Sequence, residues 1–446
     1  DSTPTSVDSL THLLNQPTIP SCLSGQFGRI ASKTVLTPAG SLFLLRLCAS
    51  INICLYYTIF SLFFNIFFHN LQFLQYFSLW IFVFSAKMNE RGGTLMFETI
   101  QKIRRDLHQI PELELNLPKT KAYLSELLKD LPCSLEFPMN SAILAYFDNG
   151  CSHTVAFRSD MDALPVNEQT MADYQSRHPG CMHACGHDAH MTMLIALAYA
   201  IPKYLHELSH NILLIFQPGE ENPGGARLLC EAGILEKYHV TRIYGMHVWP
   251  DLPAGVIAAS KEEMMARSSE VNIEIKGKSA HAAKYREGCD ALETACRYLC
   301  DLYRMEQSLP QNEHRLLRFG VLHAGTIRNV VSNHARLEGT IRACRDEVYD
   351  YMRGQLHEIA ENYHPAQFAF SFSEGYPALI NDKKLVEQAM TVIPDLVLLE
   401  EPQLITEDFS WYLQHVPGAF FFLGTGTGIP LHNDHFDFDE HILLSG

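Results

Sequence analysis

The 446-residue chain lacks any basic surplus: 34 Lys and Arg face 50 Asp and Glu, a formal charge of -16 at pH 7. Affinity for a phosphate backbone needs clustered cations that displace counterions, so a nucleic-acid partner is excluded. No HExxH zinc helix is expected, and neither a GxSxG nucleophile elbow nor a Walker A phosphate loop occurs. The run Gly424-Thr425-Gly426-Thr427-Gly428 leads to Pro430 and a histidine, not into a helix, which excludes a dinucleotide loop. The 12 Cys lack the regular spacing of a disulfide framework, and Cys230, Cys296 and Cys300 fall in runs that read as buried helix or strand. Reduced thiols in a cytoplasmic protein are the expectation.

What is present is apolar mass. Hydrophobic residues make up 47% of the chain, enough for a large core and, at roughly 150 residues per domain, for two or three domains. Residues 41–86 are almost wholly apolar, the length of one or two membrane spans. A signal peptide fits poorly, because a long polar stretch comes first and the apolar run exceeds an h-region of about 7 to 15 residues. Arg91-Gly92-Gly93, just ahead of Met96, can be encoded by purine-rich DNA resembling a bacterial ribosome-binding site. Residues 1–95 are therefore read as translated upstream DNA ending before Met96 or Met88. A membrane anchor is the alternative, and the only route here to a membrane partner.

Beyond Met96 the periodicity is regular. Helical spacing covers Phe97 to Lys129, broken at Pro111 and Pro118. Short apolar runs at 142–147, 154–157, 211–216 and 242–246 alternate with helices at 190–204 and 226–232, which predicts a parallel or mixed sheet covered by helices. Between 268 and 374 the order becomes strand, helix, strand, strand, helix, strand, a ferredoxin-like βαββαβ module. After Tyr376 the first pattern resumes, with a helix at 383–392, another around 408–414 and a strand at 419–423. The expected architecture is a two-domain α/β protein: a catalytic domain from 96–267 and 375–446, interrupted by a lid at 268–374. Residues 439–444 read as the start of a closing helix.

Polar clusters follow these strands: Asp160-Met161-Asp162, Cys185-Gly186-His187, Glu220-Glu221, Met246-His247 and Leu431-His432-Asn433. Ligands bind beyond the carboxyl ends of strands in open α/β sheets, so separate strands can deliver these groups to one place. Thiolate, imidazole and carboxylate bind divalent metals, and there are more of them than one tetrahedral ion uses. An isolated His247 or His432 would be a structural histidine and an isolated Glu220-Glu221 a solvated loop. The run Cys181, His183, Cys185, His187, His190 is rarer and points to metal. Asp160 and Asp162, two apart at a strand end, suit the orientation of a metal-bound histidine.

These stretches resemble the co-catalytic metallopeptidases that include hippurate hydrolase, N-acyl-L-amino-acid amidohydrolases (aminoacylases) and plant indole-acetyl-amino-acid hydrolases. The resemblance runs from about Arg104 to Leu444. It is carried by RRDLHQIPEL from Arg104, FRSDMDALPV from Phe157, MHACGHDAH from Met182, FQPGEENPGGA from Phe216, GMHVWPDLPAG from Gly245, GKSAHAA from Gly277, EDFSWY from Glu407 and LHNDHFDFDE from Leu431.

The resemblance implies that Cys185, His187, Glu221, His247 and His432 hold two divalent ions (Zn, Mn, Co or Ni), with the Cys185 thiolate bridging. It makes Glu220 the catalytic base, with Asp162 in the catalytic set. His281 would reach a neighbouring active site in a homodimer formed through the lid, while Asn329 and Arg342 would contact substrate. The implied reaction is hydrolysis of the amide of an N-acyl amino acid, with a dipeptidase or carboxypeptidase as the enzymatic alternative and a membrane-anchored binding protein as the non-enzymatic one. The sequence departs from the family at Asn329-Val330-Val331-Ser332-Asn333 and at Thr406.

Overall fold

The apolar run Asn211–Gln217 is buried at all seven positions, which only a strand covered on both faces achieves. Leu213 and Ile215 point into one hydrophobic cluster, while Ile212, Leu214 and Phe216 point into another on the opposite face. The protein is seen in a computed structural model that describes residues 92–393 and 395–446. The expectations for residues 1–91, including the apolar segment 41–86, lie outside these. Among the described residues no helix is long and apolar enough to cross a membrane.

The described residues begin with α1 (Gly92–His108) and α2 (Pro118–Leu128). Proline at the start of α2 has a fixed φ suited to a first helical turn and leaves no backbone donor unsatisfied there. There follow β1 (Ser134–Glu136), β2 (Ile143–Phe147), β3 (Thr154–Asp160), α3 (His187–Tyr204), β4 (Asn211–Gln217), α4 (Gly225–Glu231), α5 (Ile234–Lys237), β5 (Val240–Trp249), β6 (Ile257–Ala259) and β7 (Glu263–Met265). The second half holds β8 (Arg267–Lys276), α6 (Ala291–Ser308), β9 (Arg315–Ala324), β10 (His334–Ala343), α7 (Asp346–Ala360), β11 (Gln367–Phe372), β12 (Leu379–Ile380), α8 (Lys383–Val392), β13 (Val397–Leu398), α9 (Ser410–Leu413) and β14 (Gly418–Gly424).

Eight strands form one mixed sheet in the order β1-β2-β4-β3-β5-β14-β6-β13, in which β4, β3, β5 and β14 run parallel. Four others form a separate antiparallel sheet, β11-β8-β10-β9. Its βαββαβ element sequence is the one expected between residues 268 and 374. Along β8, Val271, Ile273 and Ile275 are buried while the residues between them are more open, so one face packs on α6 and α7 and the other meets solvent.

Several boundaries differ from the sequence reading. Helix α3 starts at His187, three residues early, because Gly186 adopts a left-handed φ of 83° and turns the chain into the helix. His247 lies inside β5, not after it. The 408–414 helix is a single turn, since Glu407 and Asp408 direct their carboxylates to a buried arginine. The closing stretch forms a 3-10 helix, Glu440–Leu444. Strands β6, β7, β12 and β13 have two or three residues each, too few for a period to register.

Leu214→Ala, at a fully buried site in β4, is expected to cost about 2–5 kcal/mol in denaturant unfolding. Leu322→Ala on the exposed edge of β9 is expected to cost about 0.5 kcal/mol or less. Equal losses would contradict the placement of the core.

Candidate metal centre and catalytic cleft

Parallel strands β3, β4, β5 and β14 lie side by side, so the loops leaving their carboxyl ends crowd one rim. Register places Asp160 opposite Gln217 and His247 opposite Phe422. Cys185 and His187 enter this rim from the start of α3, separated by Gly186. A Cβ on Gly186 would come within 2.5 Å of Val248 Cγ2, so only glycine brings both groups this close to β5. His432, at a left-handed φ of 65°, is pinned beside the same loop by donating its N–H to the Ala184 carbonyl at 2.8 Å.

The five expected ligands converge. Donor atoms of Cys185, His187 and His247 lie within 4.8 Å of one another, and so do those of Cys185, Glu221 and His432. Cys185 is common to both triads. Its Sγ is 3.4 Å from His247 Nε2 and 3.3 Å from His432 Nε2, and His432 Nε2 is 3.2 Å from Glu221 Oε1. His247 donates from Nδ1 to the Val248 carbonyl at 2.7 Å, which leaves the Nε2 lone pair free toward the thiol.

The surroundings fit divalent cations. Among the described residues neither ring nitrogen of buried His187 makes a hydrogen bond. The buried Arg158 guanidinium pairs with Asp160, Glu407 and Asp408, while Asp162, Glu220 and Glu221 gather around His187. Buried negative charge in such excess is costly unless further cations enter. Burial, then the charges of Glu221 and Glu220, push the Cys185 thiol well above its usual range. Burial opposes charge on His187, yet Asp160 and Asp162 outweigh it and lift that imidazole to about 10.

Of the remaining expected residues, Glu220 sits at the bottom of the same cleft. Its carboxyl is pushed well above the usual range by burial first and then by Glu407, Glu221 and Asp408. Asp162 accepts the backbone N–H groups of Glu220 and Glu221 at 2.9 and 3.1 Å and also faces His187 Nδ1 at 3.6 Å. Arg342 lines the cavity of about 340 Å³ that contains Cys185, Glu220 and His432. The Arg342 guanidinium donates to the Leu404 carbonyl at 2.8 Å, and no carboxylate pairs with it among the described residues. His281 and Asn329 adjoin one another in the lid, Ala282 N–H donating to the Asn329 carbonyl, and neither lines that cavity. The His281 side chain accepts the Ala283 N–H on Nδ1, so a neutral ring carries its proton on Nε2.

Other residues of the cysteine-histidine run do different work. His190 uses both nitrogens, Nδ1 toward Asp160 at 2.7 Å and Nε2 accepting the Val248 N–H at 2.9 Å, so it braces β5 and has no lone pair left for a metal. His183 is buried with neither nitrogen partnered, and burial lowers it to about 3. Sequence reasoning passed over the string His206-Glu207-Leu208-Ser209-His210, which has HExxH spacing. It is not a zinc helix: only Leu205–Glu207 is helical, of the 3-10 type, and His210 turns toward His153, with ring centroids 6.3 Å apart. Sequence reasoning also missed the Arg158, Gln217, Glu407, Asp408 and Tyr412 network, which is joined by hydrogen bonds of 2.6–3.1 Å. The unusual polar letters in Phe-Arg-Ser-Asp at a strand end were its signal.

A centre with more thiol, imidazole and carboxylate donors than one ion uses fits the metal-dependent amidohydrolases. Residues 156–445 match peptidase family M20/M25/M40, and the chain belongs to that family. It is 36% identical over 364 residues to an uncharacterized hydrolase of Staphylococcus haemolyticus, covering 78% of this chain and 95% of that one. It is 36% identical over 357 residues to an N-acetyldiaminopimelate deacetylase of Streptococcus uberis, covering 76% and 93%. The crystal structure of Bacillus subtilis YxeP, a dinuclear metal-binding peptidase of the M20 family, superposes with a TM-score of 0.68 at 30% identity, covering 79% and 96%.

Metal uptake is expected to release protons near neutral pH, because the Cys185 thiol and the His187 imidazole both hold theirs there. Both ligands bind only when deprotonated, so apparent affinity rises with pH through the neutral range. Titration calorimetry in buffers of different ionisation enthalpy measures the release. A proton count of zero would contradict the ligand assignment.

Proposed function

We propose that the protein hydrolyses the amide bond of N-acyl amino acids with two divalent ions held by Cys185, His187, Glu221, His247 and His432. The observation that carries this reading is the position of Glu220, buried with its carboxylate within 4.8 Å of donor atoms of His187 and Glu221, one from each triad. A pure binding site has no use for a spare base there. When bound, the ions supply a nucleophilic water at neutral pH and polarise the substrate carbonyl. Zinc, manganese, cobalt and nickel all suit these donors, because selectivity follows availability as much as affinity.

The chain's own residues complete the reaction. Glu220 takes a proton from the attacking water and passes it to the departing amine nitrogen. Burial first, and then Glu407, Glu221 and Asp408, raise its carboxyl above the usual range, a direction that favours holding the proton between the two transfers. Arg342, lacking a carboxylate of its own, offers a charge-assisted bond to the free carboxylate of the amino-acid half. The deacetylase relative supports an acyl-amino-acid substrate of this kind. His281, with its Nε2–H outward, donates to the developing oxyanion of a second copy, and Asn329 accompanies it. That assigns the lid at 268–374 to homodimer formation and the segments 96–267 and 375–446 to catalysis. Among the described residues the four-stranded sheet has two edges open to pairing, β9 and β11. The nine described cysteines are all free, which suits a cytoplasmic setting.

Glu220→Gln is expected to retain metal while turnover falls by about 10²–10⁴-fold, the usual weight of a general base. Metal analysis and steady-state kinetics on a panel of N-acyl amino acids test this, and near-normal turnover would overturn the role of Glu220.

A further inference from the structure

The Glu220 side chain has little to hold it. Among the described residues its carboxylate accepts one long hydrogen bond, from the Asp408 N–H at 3.4 Å. Its direction therefore depends on how the main chain beneath it is fixed. On one side the Glu220 N–H donates to Asp162 Oδ1 at 2.9 Å. On the other, the Tyr376 hydroxyl donates to the Glu220 carbonyl at 2.8 Å. The Tyr376 ring also lies against the following turn: a Cβ on Gly224 would meet Tyr376 Cε1 at 2.9 Å.

Tyr376 belongs to neither sheet. It stands where the chain returns from the four-stranded sheet, four residues after β11 ends at Phe372. The outgoing and returning segments are joined there, Ser268 N–H donating to the Tyr376 carbonyl at 3.3 Å. Gly375 takes a left-handed φ of 63°, and a Cβ on it would fall 1.7 Å from the Ser268 carbonyl oxygen. The two segments thus cross at a separation that only glycine permits.

We propose that Tyr376 is a positioning residue that couples the lid crossing to the general base. Movement of the four-stranded sheet about this crossing carries the Tyr376 hydroxyl with it, and through the Glu220 carbonyl it turns the carboxylate. The base is then aligned when the lid is in place and misaligned when it is not, a gating that suits a cleft whose substrate carboxylate is held by Arg342 on the lid strand β10. The coupling rests on the reading of Glu220 as base.

The test uses Tyr376→Phe in the full metal-loaded chain, which keeps the ring and removes only the hydroxyl. The expected result is a fall in kcat of about tenfold, the rate equivalent of one hydrogen bond. KM should stay within about twofold, and metal content should be unchanged, because no ligand is touched. Gly375→Ala, which displaces the crossing, should lower kcat in the parent chain but cost little more in the Tyr376→Phe background. Hydrogen exchange gives a readout that needs no substrate: the Gly224 and Gly225 amides, which donate to the Gly219 carbonyl, should exchange faster in Tyr376→Phe. Unchanged kcat with unchanged exchange, a loss confined to KM, or additive losses in the double variant would each overturn the coupling. An inactive parent chain would instead remove the reading of Glu220, while exchange would still decide whether Tyr376 holds the loop.

Discussion

The guanidinium of Arg158 is a buried cation paired with three carboxylates, those of Asp160, Glu407 and Asp408, at the rim of the sheet, and much of the site is arranged around it. Its nitrogens reach Asp160, Glu407, Asp408 and the Gln217 side chain. Through Asp160 it supports the wall of His187 and His190, and through Glu407 and Asp408 it faces Glu220. A single charge cannot neutralise so many buried anions, and the deficit makes the pocket favourable for divalent ions. Burial, and then the neighbouring Glu407, Glu221 and Asp408, also hold the Glu220 carboxyl above its usual range.

Backbone geometry then decides which groups meet. Gly186 lets Cys185 and His187 approach β5, and Asp162 anchors the two N–H groups of the glutamate pair so that Glu221 turns to the ligand cluster while Glu220 stays apart. His432 is the most open of the five, half exposed at the mouth of the cavity and held by one main-chain bond to Ala184. Rigid strands supply the rear of the site and loops its entrance, the division expected where substrate must enter and product leave.

The separate four-stranded sheet adds what the cleft lacks on its own. Arg342 projects from it into the cavity, whereas His281 and Asn329 stand elsewhere on it, beyond the groups that line the cleft. A site completed by parts on a second body needs that body to report its position. The crossing at Ser268 and Tyr376 is where the two sheets are joined beside the base loop.

Much of this was legible along the chain. The fully apolar β4 announces a strand covered on both faces. The change of element order at residue 268 announces the inserted module, and the donor types at Cys185, His187, Glu221, His247 and His432 announce metal chemistry, because few other functions call for thiol, imidazole and carboxylate at strand ends. What the letters could not separate was His190 from His187, or His183 from either. Those three share one short run, and only the packing of α3 against β3 and β5 assigns His190 to a brace, His183 to burial and His187 to the cluster. The short strands β6, β7, β12 and β13, the Arg158 network and the Tyr376 contact were hidden for the same reason. Local pattern encodes periodicity and donor chemistry, whereas contacts such as Arg158 with Asp408, 250 positions apart, arise only once the sheet has brought distant loops together.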